Sequence, residues 1–473
     1  MTEQREQFGS RLGFILAAAG SAVGIGNMVG FPVAATKNGG GAFLLTYAIF
    51  VFFVCLPVMM AEMSAGRRAG KDPLGTYNTI SEGETHWRLA GALAVITPFM
   101  IGVFYTVITV WLFGYLVHVL SGDLASLAEP GAFGAFINSN EIFYYMIAVA
   151  AIVFLILQGG VKNGIERASK ILMPGLFFML VGLMVFVLTL DNAMAGVEYY
   201  LVPDFSKLNA SVVSGALSQA FFSLSLGMGI LLTYGSYLSK RNSVPGSAKL
   251  VALADTCVAF VAGLMLLPAV FSFNPDVNVS ELSDSSVGMI FTFLPKIFVA
   301  LQSSIGYTGA SAVAAVFFLL VLFAAITSLV SIIEVPTAAL MDERNMSRRK
   351  ALLTLGVLIG ILAILSATSF GMLPWFTEFT EYAGVSKSFF DVIVDVFYET
   401  ILPLNGLLIC LLVTYRWKKR NFNQELHEGD PGYKGTWLER YVDFSLGTFI
   451  PVILAAVFIN TVAIKYFGVA LIG

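Results

Sequence analysis

The sequence predicts an all-α integral membrane protein of eleven transmembrane helices, the first and sixth interrupted at mid-membrane. Three observations carry this. Of 473 residues 57% are hydrophobic and only 12% charged, about half the ~25% charged share of a soluble domain. Eleven apolar segments are long enough to cross a bilayer, near 11–36, 41–69, 88–120, 141–159, 166–190, 209–238, 247–273, 305–341, 349–370, 387–415 and 439–467. Two of them contain residues that a plain spanning helix avoids.

The first exception is Gly20-Ser-Ala-Val-Gly-Ile-Gly-Asn27, three glycines and an asparagine in mid-span. Glycine weakens a helix, and open backbone is tolerated at membrane depth only where protein or a cavity satisfies its N–H and C=O groups. An unwound turn holding an ion or a small polar solute is therefore expected. The sixth segment repeats the pattern with Ser223-Leu-Ser-Leu-Gly227. Small residues such as Gly20 and Gly24 also serve as packing faces. Breaks at matched positions five segments apart point instead to two inverted repeats with a site between the broken halves.

Many of the spans exceed the ~20 residues required, which implies tilted, kinked or protruding helices. With the N-terminus in the cytoplasm, the inner loops collect most lysines and arginines, from Arg67, Arg68 and Lys71 to the Arg416–Arg440 cluster, and the outer loops keep little beyond Lys207, Lys296 and Lys387. This asymmetry sets the orientation, and eleven spans put the C-terminus outside. The chain is read as one transmembrane domain, 1–473, with repeats at about 11–190 and 209–415 and an extra helix at 439–467. Residues 274–304, with Pro275 and Pro295, are expected to form a helical hairpin over the outer face, and 416–438 a charged cytoplasmic connector. The polar lead Met1 to Ser10 runs into a segment too long for a signal peptide. Cys55, Cys257 and Cys410 lie in apolar segments and His86, His118 and His427 are scattered, which argues against disulfides, thiolate metal sites and a histidine cluster. No Ser/His, paired-Asp or His/Glu constellation suggests an enzyme, no basic run suggests nucleic acid, and the sequence carries no signal for oligomeric state.

The runs Arg11-Leu-Gly-Phe-Ile-Leu-Ala-Ala-Ala-Gly20, Gly26-Asn27, Phe31-Pro32, Asn38-Gly-Gly-Gly-Ala-Phe43 and Phe221-Phe-Ser-Leu-Ser-Leu-Gly227 together resemble the neurotransmitter:sodium symporters, in particular their eleven-helix bacterial amino-acid transporters. The resemblance extends from about Arg5 to the tenth segment. A dinucleotide fingerprint at Gly24-x-Gly26 fails for want of a preceding strand. The resemblance implies sodium-coupled transport by alternating access in the plasma (inner) membrane. It implies a first sodium site at Ala22, Asn27, Ser223 and Asp255, completed by the substrate carboxylate, and a second at Gly20, Val23, Ala324, Thr327 and Ser328. Hard oxygen ligands of this kind suit sodium. Asp255 departs from the family's usual asparagine; as an intramembrane acid it is a functional candidate, and its charge is expected to replace chloride. Tyr47, Gln219 and Ser223 resemble parts of the family's chloride site, with Ala259 at its fourth position.

For the substrate, the half-helix N-terminus at Ile25 and Gly26 suits a carboxylate, and Tyr105 matches the family tyrosine that completes the clamp. An ammonium would meet carbonyls near Ala22, Phe222 and Ser223 and the Ser225 hydroxyl. Amine transporters of the family place an aspartate where this chain has Gly24, so the substrate is expected to bring its own carboxylate. Ser21, Ile101, Phe222, Met228, Ser328 and Ile332 would line the side-chain pocket, an apolar set that favours a hydrophobic or aromatic L-amino acid. Taurine, a betaine or a small neutral amino acid is the alternative, and a channel a weaker one because the polar residues cluster at mid-span. Arg5 and Asp342, beside Phe8 and Tyr237, match a cytoplasmic gate; outside, Gly30 stands where the family has an arginine, with Asp391 the match for its acidic partner and Asp395 close by.

Overall fold

The computed structural model of the chain describes residues 5–273 and 286–471. Helices dominate: α1 (Arg11–Ala22), α2 (Gly26–Lys37), α3 (Gly41–Ala69), α4 (Pro73–Ile80), α5 (Thr85–Leu120), α6 (Glu141–Gln158), α7 (Val161–Val187) and α8 (Ala193–Leu201) in the first half. The second half holds α9 (Ala210–Ser223), α10 (Ile230–Ser236), α11 (Val244–Phe273), α12 (Met289–Ala300), α13 (Gln302–Arg344), α14 (Arg348–Thr368), α15 (Phe389–Gly429), α16 (Trp437–Gly447) and α17 (Phe449–Phe467). A short antiparallel hairpin, β1 (Thr380–Tyr382) against β2 (Val385–Lys387), lies between α14 and α15.

Among the described residues nine helices are long and apolar enough to cross a membrane, ten when α1 and α2, bent by 54°, count as one span. The remaining expected segment, the sixth, is present as α9 and α10, each too short to cross alone, because residues 224–229 leave the helix. Both interruptions therefore fall where the glycines and serines put them. Half-helices cut this way need partners, and close backbone packing supplies them. A Cβ on Gly66 would sit 1.9 Å from the Leu232 carbonyl oxygen and one on Gly235 2.4 Å from that of Met63. Glycine at both positions lets α3 and α10 approach at backbone distance, as small residues do between membrane helices.

Three segments differ from expectation. The last one, expected over 439–467, is cut at Thr448 (φ −133°, ψ −91°) into α16 and α17. Pro451 has no N–H for the Gly447 carbonyl four residues back, and the Tyr415 hydroxyl bonds that oxygen instead at 3.4 Å. The tenth segment runs past its expected end to a break at Lys418 (φ 71°) and continues as a helix over Lys419–Gly429. Within the expected connector, that helix is fastened by Glu425 to Arg67 (2.7 Å) and Lys240 (2.6 Å). Of the expected outer hairpin, residues 274–285 including Pro275 lie outside the described residues. From Met289 onward α12 packs inward, Tyr115 donating to the Phe291 carbonyl at 3.0 Å.

Candidate ion and solute site

α1 stops at Ala22 because Val23 (φ −73°, ψ 90°) leaves helical geometry, its N–H capping the Ala19 carbonyl. The carbonyls this exposes are met from two other elements. Ser328 on α13 donates to Gly20 O at 3.3 Å and Ser21 O at 3.1 Å, and Ser225 donates to Ser21 O at 3.0 Å. The second break carries Ser225 (φ 54°), Gly227 (φ 75°) and Gly229 (φ 69°). A Cβ on Gly227 would stand 2.4 Å from the Leu402 carbonyl oxygen, so turn and contact both require glycine there. Glu62 accepts from Gly227 N–H at 2.8 Å, and Asn405 donates to Gly227 O at 2.8 Å. Sequence reasoning missed this pair, although a buried carboxyl in an apolar segment is itself a signal.

Between the breaks lies a polar cluster of buried side chains: Asn27, Tyr47, Ser223 and Asp255. Asn27 donates to Asp255 Oδ1 at 2.7 Å and to Ser223 Oγ at 3.0 Å. Tyr47 donates to Asp255 Oδ2 at 2.9 Å, and Ser223 Oγ lies 3.0 and 2.9 Å from the two carboxylate oxygens. Asn27 Oδ1 accepts from Gly24 N–H at 3.2 Å, tying the cluster to the first break. The Asp255 carboxylate and the Ser223 hydroxyl are hard oxygens of the kind that suits a small cation, while the Asn27 amide turns its N–H groups toward them and its oxygen toward the first break. Gln219 turns away from this cluster, donating to Gly26 O at 3.2 Å.

Of the second expected ion site, the structure brings Gly20 and Ser328 into direct contact. Thr327 lies against Gly20, where an added Cβ would be 3.4 Å from Thr327 Cβ. Its hydroxyl bonds the Phe323 and Ala324 carbonyls of its own helix, both at 3.0 Å, the usual arrangement of a mid-helix threonine.

On the solute side, Ile25 N–H donates to the Tyr105 hydroxyl at 3.3 Å. A Cβ at Gly24 would lie 2.8 Å from both that hydroxyl and Ser328 Oγ, so position 24 has no room for a side chain. Ser21 Oγ stands 3.4 Å from Ser225 Oγ. Ile101, Met228 and Ile332 are buried in the apolar core. Phe222 stacks on Tyr398, ring centroids 4.3 Å apart and 11° from parallel, and Tyr398 meets Phe104 edge-on at 5.5 Å. Tyr398 is the third residue that sequence reasoning missed, because only the packing of α15 against α9 places it.

Against known proteins, the profile of the Sodium:neurotransmitter symporter family matches residues 5–128 and 135–469. The chain belongs to this symporter family. It is 34% identical to the uncharacterized sodium-dependent transporter YhdH of Bacillus subtilis, over 99% of this chain and all of that one. An uncharacterized sodium-dependent transporter of Methanocaldococcus jannaschii is 33% identical over 96% of this chain and 90% of its own. The crystal structure of MhsT in complex with L-phenylalanine superposes with a TM-score of 0.82 at 38% identity, covering 96% of this chain and 99% of that one. Its match supports the fold described above, and the chain is a multi-pass, sodium-dependent transporter.

At one end of this symporter, Arg5 pairs with Asp342 at 2.5 Å, donates to Ser236 at 2.9 Å and lies over the Tyr237 ring. Phe8 closes the layer edge-on against Phe14, Tyr234 and Tyr237. Tyr237 in turn donates to Glu334 at 2.8 Å, itself paired with Arg348. On the opposite side Asp391 is taken up by a capping box with Ser388, accepting from its N–H and hydroxyl at 3.1 and 2.8 Å. A helix start needs acceptors for its free N–H groups, and no lysine or arginine among the described residues pairs with Asp391. Asp395 holds Lys387 and Lys465 at 3.1 and 2.9 Å. Gly30 offers no charge, and Phe222 and Tyr398 stack beside the second break.

Proposed function

We propose that this symporter imports an L-amino acid with a hydrophobic or aromatic side chain, driven by the inward sodium gradient through alternating access. The observation that carries the reading is the side-chain-free position at Gly24, walled by Tyr105 and Ser328 beside the free end of α2. A substrate carboxylate takes the Ile25 and Gly26 N–H groups and the Tyr105 hydroxyl, where a helix N-terminus favours negative charge. The ammonium meets the carbonyls of the breaks and Ser225. The apolar side chain lies among Ile101, Phe222, Met228 and Ile332. That the similar MhsT was solved with L-phenylalanine supports this substrate class.

Two sodium ions accompany the substrate in this reading. The first sits among Ala22, Asn27, Ser223 and Asp255, the Asn27 amide rotating to turn its oxygen from Gly24 N–H to the ion; the second sits among Gly20, Val23, Ala324, Thr327 and Ser328. The Asp255 carboxylate supplies the negative charge that would otherwise come from chloride, so uptake at fixed sodium should not change when chloride is replaced by gluconate. The fold is taken as eleven spans in two inverted repeats, N-terminus cytoplasmic and C-terminus outside, in the plasma (inner) membrane. Membrane potential contributes ~2.3 kcal/mol per charge per 100 mV, so two sodium ions give strong accumulation.

A second reading, a sodium-coupled carrier of taurine or a betaine, is favoured by one feature: Gly30 and the capped Asp391 do not form the family's outer gate pair, which would discriminate against a substrate of different charge geometry. A binding screen of purified protein separates the two, using the amino acids plus taurine and betaine, with and without sodium. Sodium-dependent binding of aromatic or aliphatic amino acids is expected, and selective binding of taurine or betaine would reverse the assignment.

A further inference from the structure

α4 begins on the cytoplasmic side with Asp72 as N-cap and Pro73 at its first position, a favoured helix start. One carboxylate oxygen of Asp72 is used by the cap, accepting from Leu74 and Gly75 N–H at 2.8 and 3.4 Å. The other, Oδ2, is buried and has no hydrogen-bond partner, and the whole residue is 0% exposed. The same residue touches the inner gate. Asp72 N–H donates at 2.8 Å to Asp342 Oδ2, the oxygen that Arg5 grips.

An ionised carboxylate in such a place leaves a desolvated oxygen next to further negative charge, an expensive arrangement. Facing it from α13 are Asp342 and Glu343. From the N-terminal lead comes Arg5, already held by Asp342; at the end of α3 is Arg67, held by Glu425; in its own loop is Lys71, exposed to solvent. Burial first, then the charges of Asp342 and Glu343, push the Asp72 carboxyl up to about 7, against the pull of the two capping N–H groups.

We propose that Asp72 is a proton-binding site of the closed inner gate: its carboxyl carries a proton while Arg5 and Asp342 are paired, and returns it to the cytoplasm when they part. The inference rests on the assignment of that pair as a gate. The proton enters and leaves on one side, so it is not transported; it sets how readily the gate opens. In the open state a hydrated Asp72 reverts to the ordinary value of ~3.9. Between ~4 and ~7 the closed state thus binds more protons than the open one, and falling pH favours closure. Above ~7 both states are ionised and the balance is level.

The test uses spin labels at positions 7 and 79, both exposed, in the full chain bearing Cys257→Ala, reconstituted in lipid nanodiscs with sodium. Their distance distribution is followed from about pH 5 to about pH 8. The open-to-closed ratio is expected to rise with pH, by at most about tenfold per unit, and to level off near pH 7. Asp72→Asn keeps the cap and should abolish the slope. Glu343→Gln removes one neighbouring charge and should move the plateau to lower pH, and it carries the test if Asp72→Asn fails to fold. A flat wild-type profile, or an Asp72→Asn profile equal to wild type, overturns the proposal. Asp342→Asn should open the gate at every pH; if the distances ignore it, the gate assignment itself fails.

Discussion

Gly24 shows how much one missing side chain can decide. A Cβ there would lie 2.8 Å from two hydroxyl oxygens, so an aspartate would push Tyr105 and Ser328 away from the first break and repel a substrate carboxylate. Gly24→Asp should abolish sodium-dependent amino-acid binding while the protein still elutes as a folded species, checked by scintillation proximity and size exclusion. Tyr105→Phe removes only a hydroxyl. Losing one hydrogen bond to a charged group costs about 1.5–3 kcal/mol, so substrate affinity should fall roughly ten- to hundredfold with sodium affinity largely kept. At this scale the sequence was legible where chemistry is local: glycines, an asparagine and serines in mid-span announce unwound backbone whatever surrounds them. Glu62, Asn405 and Tyr398 were not legible, because their roles exist only once α3 and α15 are packed against the second break.

The broken helices are the working elements, and their geometry is held from outside the break. Gly227 adopts φ 75° with its peptide clamped by Glu62 and Asn405. Gly227→Ala places a side chain in the left-handed region and against Leu402 O, a backbone strain of order 1–3 kcal/mol before any clash. A lower Tm in a thermal-shift assay and weakened binding are expected together; a variant with unchanged Tm and affinity would mean that the break is not fixed there. Periodicity and hydropathy located the spans well, because lipid imposes length. They failed at Thr448 and Lys418, where a proline three residues on and a charged amphipathic helix redirect the chain for reasons of hydrogen bonding and charge pairing. Likewise Asp391, matched by position to a gate acid, is placed by the helix start at Ser388.

Across the whole molecule, Arg5, Asp342, Phe8 and Tyr237 form one packed layer and Phe222 stacks on Tyr398; the proposed cycle uses these as its two covers. A carrier must open these covers in turn, never both, and must spend the sodium gradient in doing so. Family membership establishes sodium dependence; coupling to amino-acid import is the central claim. The most direct measurement is uptake of a radiolabelled aromatic or aliphatic L-amino acid into proteoliposomes of the purified protein under an imposed inward sodium gradient. The account expects saturable accumulation that rises further with an inside-negative potential and vanishes when sodium is equal on both sides and no potential is imposed. Saturable uptake or binding indifferent to sodium would contradict it.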